Sequence, residues 1–187
     1  MLICKADVLA MKLVLLDRDG VINHESGEFV KDPEQWLAIP SSAAAIARLN
    51  RADIRVAVCT NQSGVGRGLM TEAHLASVHK TMEVELARVA AHVDDIFYCP
   101  HTPDSGCTCR KPKAGLLNRA MQTFGVSASD TCFIGDSVRD LQAALAAGCL
   151  PILVRSGNGQ RAETCAARLG IANVFDDLSG AVDWILP

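Results

Sequence analysis

With 187 residues and 49% apolar side chains, the chain is long enough for one well-filled core and too apolar for bulk disorder. Its net charge of −3 lacks the basic excess of a nucleic-acid binder. No run approaches the roughly 20 apolar residues of a membrane span, so neither nucleic acid nor membrane is an expected partner.

The opening MLICKADVLA is too short and weakly patterned for a signal peptide, and a cytoplasmic location is expected. Residues 1–11 read as an N-terminal extension, with Met11 just before the first strand, and 12–187 as a single domain. Eight cysteines in a reducing compartment are expected as thiols rather than disulfides. Cys59, Cys132 and Cys149 lie in or beside apolar segments and read as small buried side chains.

Continuous apolar runs recur along the chain at Lys12 to Leu16, Ile54 to Cys59, Ile96 to Cys99, Thr131 to Ile134 and Pro151 to Val154. Unbroken rather than alternating, they fit strands covered on both faces, as in a parallel sheet. Helical segments fall between them. Ala43 to Arg51 follows a Pro-Ser-Ser start signal. From Thr71 to Ala90, the positions Leu75, Val78, Met82, Leu86 and Val89 share a face. Ala114 to Phe124, Ser137 to Ala147 and Arg161 to Leu169 continue the alternation. The order predicts an α/β fold with a doubly wound, mostly parallel sheet. His24 to Gln35 and Pro100 to Lys113 are the least regular stretches.

Ligands of such sheets sit at the carboxyl ends of the strands, so the residues there carry the functional question. The first strand ends Asp17-Arg18-Asp19-Gly20, two carboxylates whose mutual repulsion a divalent cation would relieve. The second ends Thr60-Asn61-Gln62-Ser63-Gly64, with hydroxyl and amide groups able to donate to phosphate oxygens. Arg110-Lys111-Pro112 precedes a helix; Lys111 could balance phosphate charge and Arg110 could grip a second phosphate through two bonds. The fourth strand ends Gly135-Asp136-Ser137-Val138-Arg139-Asp140. Asp136 is placed to join the first carboxylates around a metal, whereas Asp140 fits a capping box with Ser137. Each motif alone also reads as ordinary loop chemistry; four of them, at successive strand ends, do not.

Together, D-R-D-G at 17–20, T-N-Q at 60–62, R-K-P at 110–112 and G-D-S-x-x-D at 135–140 resemble the haloacid-dehalogenase superfamily of phosphatases, over nearly all of residues 12–187. A second constellation lies in the loop 99–109. Cys99, His101, Cys107 and Cys109 offer three thiolates and an imidazole, a closed tetrahedral set suited to structural zinc. Such a loop has almost no apolar residues of its own, and a metal would supply the stability that burial cannot. The combination resembles the zinc-containing, histidinol-phosphatase-like branch, whose members lack a large cap domain. Within it, T-N-Q-S-G-V-G-R-G-L at 60–69 and C-R-K-P at 109–112 are similar to the heptose bisphosphate phosphatases of nucleotide-activated heptose and lipopolysaccharide synthesis.

The resemblance implies a phosphatase acting on a small sugar bisphosphate, with Mg²⁺ and Zn²⁺ as cofactors and a monomeric state. It makes Asp17 the nucleophile that becomes phosphorylated. Asp19 becomes the acid to the leaving oxygen and then the base for water. Mg²⁺ would be held by the Asp17 and Asp136 carboxylates and the Asp19 carbonyl. Thr60, Asn61 and Lys111 would bind the transferring phosphoryl group, with Gln62 beside them, and Arg18 should point away. Glu25, Ser26, Gly27 and Glu28 would meet sugar hydroxyls, His24 could line the pocket, and Arg110 would hold the distal phosphate, with Ser63 and Arg67 as further candidates. Relatives often carry lysine where this chain has Ser137, which removes one cation from the mouth of the site. His74, His79 and His92 read as surface residues, and Trp36 and Trp184 as packing residues. The rival expectations are a histidinol-phosphate phosphatase, a phospho-accepting receiver module and an inert zinc-stabilised interaction protein.

Overall fold

The computed structural model describes residues 11–27 and 29–186, so the expected extension lies, except for Met11, outside the described residues. Met11 itself is buried against the core. Six strands form one parallel sheet: β1 (Leu13–Leu16), β2 (Arg55–Asn61), β3 (Asp95–Cys99), β4 (Thr131–Gly135), β5 (Leu150–Val154) and β6 (Val174–Phe175). Their order is β3-β2-β1-β4-β5-β6. The chain therefore winds outward from β1 to one edge and returns to start again on the other side of β1. That reversal opens a crevice at the carboxyl ends of β1 and β4.

Among the described residues the helices are α1 (Pro40–Arg51), α2 (Ser63–Gly66), α3 (Glu72–Ala87), α4 (Gly115–Phe124), α5 (Val138–Ala147), α6 (Gly159–Arg168) and α7 (Leu178–Ile185). Alternate residues of each strand enter opposite cores, because strand side chains have a period of two. Val14, Leu16, Val58 and Ile134 pack under α1, α3 and α7, with Ile46, Met82 and Val182 among their partners. Leu13, Leu15, Phe133 and Cys59 pack on the other face under α4 and α5. Leu153, Leu141 and Ala166 extend that layer to α6. With both faces covered, β1 and β4 are buried along their whole length, which explains their unbroken apolar sequence.

Several boundaries differ from the sequence reading. β2 runs on to Asn61, which pairs in register with Cys99, so Thr60 and Asn61 belong to the strand rather than to the turn after it. That turn is the four-residue helix α2. Helix α3 starts behind Thr71, whose hydroxyl accepts from the His74 amide, and ends at Ala87. Ala90 takes a left-handed φ of 56°, and Val89 is exposed. His79 is buried, not on the surface: it lies four residues after Leu75, on the apolar face of α3, with its ring edge-on to Tyr98. Its burial and the Arg18 charge pull its pKa down to about 4. β6 and α7 fall outside the apolar-run pattern; the strand has two residues, and α7 begins at the Asp177 cap, which accepts from the Gly180 amide. Trp36 and Trp184 both serve packing, Trp184 against Phe175. No helix of the described residues is long and apolar enough to cross a membrane.

Candidate active site

The chain leaves β1 at Asp17, whose amide still bonds the Ile134 carbonyl of β4 at 2.9 Å. This puts the Asp17 carboxylate at the crevice. Its Oδ2 lies 2.8 Å from the Lys111 ammonium, which also meets Asp140 Oδ1 at 2.7 Å. Lys111 is only 2% exposed. Burial alone would lower its proton affinity, but the Asp140 and Asp17 charges more than offset that and raise it. Asp140 divides its oxygens: Oδ1 faces Lys111, while Oδ2 accepts from the Ser137 amide and hydroxyl at 3.0 and 2.6 Å. The capping box expected at this helix start is present, and its acid also serves as counter-ion to Lys111.

Asp136 completes the cluster; carboxylate oxygens of Asp17, Asp136 and Asp140 all lie within 4.8 Å of one another. Three carboxylates against one ammonium leave two negative charges when all are ionised. Desolvation, aided by Asp140 and Asp19, pushes Asp17 up to about 7 despite Lys111. Desolvation and the charges of Asp17 and Asp140 push Asp136 up to about 8. A divalent cation ligated by oxygen fits this donor set on charge and on chemistry. Asp136 Oδ2 accepts from the Asn158 amide at 2.8 Å. Gly20 (φ 80°) and Gly157 (φ 61°) flank that oxygen, and a Cβ on either would collide with it. Only glycine combines these left-handed turns with so close an approach.

Asp19 points its carboxylate into a different set of donors. Oδ1 accepts from Arg18 Nε and Nη2 at 3.2 and 3.0 Å and from Asn23 Nδ2 at 2.9 Å. Oδ2 accepts from Arg18 Nη2 and Gln62 Nε2, both at 3.0 Å. Burial alone would raise its pKa, yet the Arg18 charge and the bonds from Asn23, Gln62 and Arg18 hold it below the usual range. Arg18, expected to point away from the site, is fully buried and turned back onto its neighbour.

A cavity of about 350 Å³ opens above these groups. Of the residues singled out in the sequence, Asp17, Asp19, Glu25, Gly27, Thr60, Asn61, Ser63, Arg67, Arg110, Lys111, Asp136, Ser137 and Asp140 line it. Gln62 is buried beneath it, while Ser26 and His24 are exposed and not part of its wall. Glu28 lies outside the described residues. The wall also contains Phe29, Pro103, Arg139 and Asn158, which the sequence reading does not place there. Asn158 follows β5, so the strand-end rule applied to Ser156-Gly157-Asn158 would have found it. Its side-chain amide also donates to Glu25 at 3.2 Å, joining the Glu25 loop to the Asp136 side. The Asn61 side chain bonds both the amide and the carbonyl of Lys111, each at 3.1 Å, and so staples the Lys111 loop to β2.

Beside this wall the four residues of loop 99–109 converge. Cys99 Sγ is 3.7 Å from Cys107 Sγ, 3.3 Å from Cys109 Sγ and 3.5 Å from His101 Nδ1, and His101 Nδ1 is 3.3 Å from Cys109 Sγ. A tetrahedron with metal–sulfur bonds of about 2.3 Å has edges of roughly 3.8 Å, so the set is close to that size before any ion draws it into shape. Arg110 donates to the His101 carbonyl at 3.2 Å, which links the loop to the cavity.

In sequence and fold the chain is similar to named phosphatases. Residues 108–181 match the HAD-hydrolase-like family model. The chain is 46% identical over 176 residues to D-glycero-β-D-manno-heptose-1,7-bisphosphate 7-phosphatase of Bordetella bronchiseptica, covering 94% of this chain and 98% of that one. It belongs to that phosphatase family. The Pseudomonas aeruginosa member is 44% identical, over 95% of this chain and 99% of its own. The crystal structure of the B. bronchiseptica enzyme, complexed with magnesium and phosphate, superimposes with a TM-score of 0.88, again at 46% identity and 94% and 98% coverage. The heptose bisphosphate phosphatase of Burkholderia thailandensis gives 0.72 at 38% identity, covering 94% of this chain and 99% of its own.

The raised carboxyls of this family member have a thermodynamic consequence. Asp17 and Asp136 keep protons up to about pH 7 and 8 in the native state, whereas unfolded carboxyls lose theirs near 4. Between those limits the native state binds more protons, so stability falls as pH rises. In chelator, the melting temperature is expected to drop between about pH 5 and about pH 8, and Asp136→Asn to flatten that slope. Added Mg²⁺ should raise the melting temperature more at the alkaline end. A Mg²⁺ shift that is equal at both pH values would contradict this assignment.

Proposed function

We propose that the chain hydrolyses the 7-phosphate of D-glycero-D-manno-heptose 1,7-bisphosphate through a phosphoryl-aspartate at Asp17. The observation that carries the reading is the placement of Asp17 on the cavity floor. It lies against Lys111 at 2.8 Å and within reach of two further carboxylates, in a chain of this family.

Asp17 attacks phosphorus as the bond to the sugar oxygen breaks. That oxygen leaves with a proton from Asp19. Its carboxyl, held below the usual range in the free protein, takes up that proton as the negative charge of the bound phosphate raises its proton affinity. In the second half, water attacks the acyl phosphate and gives its proton to Asp19, which frees Asp17 and releases phosphate. Lys111 holds the nucleophile in place and offsets phosphoryl charge, and Thr60 and Asn61 line the same end of the cavity. Mg²⁺ held by the Asp17 and Asp136 carboxylates and the Asp19 carbonyl would supply the charge that lets two anions meet. At the other end, Arg67, Arg110 and Arg139 supply cations for the distal phosphate in place of the lysine that Ser137 replaces. Glu25 and Gly27 border the sugar. Zn²⁺ bound by Cys99, His101, Cys107 and Cys109 would fix the loop that leads into Arg110 and Lys111.

Phosphate release with Mg²⁺ should be fast for one anomer of the heptose bisphosphate and slow for histidinol phosphate, and Asp17→Asn should lose more than about 10³-fold. Preference for histidinol phosphate would overturn the substrate and keep the chemistry. Metal analysis should find about one zinc per chain that survives dialysis against Mg²⁺ and is lost in Cys109→Ser. Zinc-free protein with an unchanged melting temperature would refute the zinc assignment.

A further inference from the structure

We infer that Gln62, Arg18 and Asn23 are positioning residues that lock the Asp19 carboxylate in the one orientation that serves the leaving oxygen. The inference rests on the role proposed above for Asp19 and extends it to side chains that the substrate never touches.

Five hydrogen bonds fix the carboxylate. Arg18 reaches it through Nε and Nη2, at 3.2 Å and 3.0 Å to Oδ1 and 3.0 Å to Oδ2. Asn23 Nδ2 donates to Oδ1 at 2.9 Å, and Gln62 Nε2 to Oδ2 at 3.0 Å. An aspartate on a short loop has two free torsions, and donors on both oxygens restrict both of them. Each donor is itself held. Gln62 is 1% exposed; its Oε1 accepts from Arg18 Nη2 at 3.3 Å and its Nε2 also donates to Thr60 Oγ1 at 2.9 Å. Asn23 is fully buried; its side chain also bonds the His24 carbonyl, and its backbone bridges to Asp19 and to Ala38. Arg18 is fully buried, with its guanidinium 6.0 Å from the centre of the Trp36 ring.

Burying an arginine and an amide contributes little to stability, because desolvation offsets most of the attraction. Here the buried groups converge on one carboxylate whose remaining open side, 21% of the side chain, faces the cavity. The arrangement also joins the acid to the phosphate end. Gln62 bridges Asp19 and Thr60, two cavity residues from the ends of different strands, so their spacing is set by one buried side chain. Orientation within a fraction of an ångström is worth large factors in proton transfer, which makes such a support effective from behind the reacting atoms.

A test must separate positioning from general damage. A sugar phosphate expels an alkoxide that needs a proton; p-nitrophenyl phosphate expels a phenolate that does not. The parameter kcat/KM reports only steps up to loss of the leaving group, so the later role of Asp19 with water does not enter. Gln62→Met, which keeps the length and loses the bonds, is the variant to use. The heptose bisphosphate kcat/KM is expected to fall by about 10- to 100-fold more than the p-nitrophenyl phosphate value, within the range of a general-acid contribution. Asp19→Asn should give the same signature more steeply, and Arg18→Lys, which keeps the charge without the two-pronged grip, a weaker one. Equal losses on both substrates, or no loss on either, for Gln62→Met beside a steep signature for Asp19→Asn would overturn the positioning role alone. A flat signature for Asp19→Asn would overturn the role of Asp19 and the inference with it. Should Gln62→Met fold poorly by circular dichroism, Arg18→Lys replaces it: a larger loss on the heptose bisphosphate supports positioning, and equal losses overturn it.

Discussion

Lys111 lies enclosed under the carboxyl edge of the sheet with its ammonium 2.8 Å from Asp17, 2.7 Å from Asp140 and 5.1 Å from the centre of the Phe133 ring. A cation so buried is tolerated only because two carboxylates surround it. Asp17 and Asp140, on separate segments, are in turn tolerated at this spacing because the cation lies between them. The ends of β1 and β4 and the start of α5 are thereby held to one charge centre. Asp136 is the carboxylate left over, and the excess of negative charge around it suits the centre to a divalent cation, which would in turn let an anionic phosphate approach.

The surrounding loops can be understood as means of delivering Lys111 to that point. Asn61 bonds both polar groups of its backbone, so the loop is registered against β2. The Cys/His cluster ends at Cys109, two residues before it, and Arg110 ties back to His101. The Lys111–Pro112 peptide is cis. On the far side, Gly20 and Gly157 let two loops close over Asp136. The cavity above is therefore walled by five separate segments that share no secondary structure, only proximity at the switch point.

Much of this is legible in the sequence, for a physical reason. Buried parallel strands leave unbroken apolar runs, and the polar residues that follow them are conspicuous by contrast. Asp17, Asp19, Thr60 and Asp136 stand out that way, and all of them reach the cavity. The Cys/His spacing is legible because few other uses exist for three thiols and an imidazole in a loop of that size. What escapes is whatever depends on folding alone. Arg18 reads as a side chain that points away from the site, yet it is enclosed and turned back onto Asp19. His79 reads as polar although helical spacing puts it beside Leu75. Asp140 reads as a helix cap and is also the counter-ion of Lys111. Arg139 acquires a site because α5 starts at the carboxyl end of β4, beside β1, whereas Asn158 follows β5 and falls under the same strand-end rule as the carboxylates.

Covalent phosphorylation of Asp17 is the central claim, and trapping that intermediate tests it most directly. Enzyme quenched during turnover of a phosphate monoester and reduced with borohydride should carry homoserine in place of aspartate at position 17, found by peptide mass spectrometry. The conversion should require substrate and be absent when substrate is withheld. Reduction at another carboxylate, or none at Asp17 under conditions of rapid phosphate release, would contradict the account.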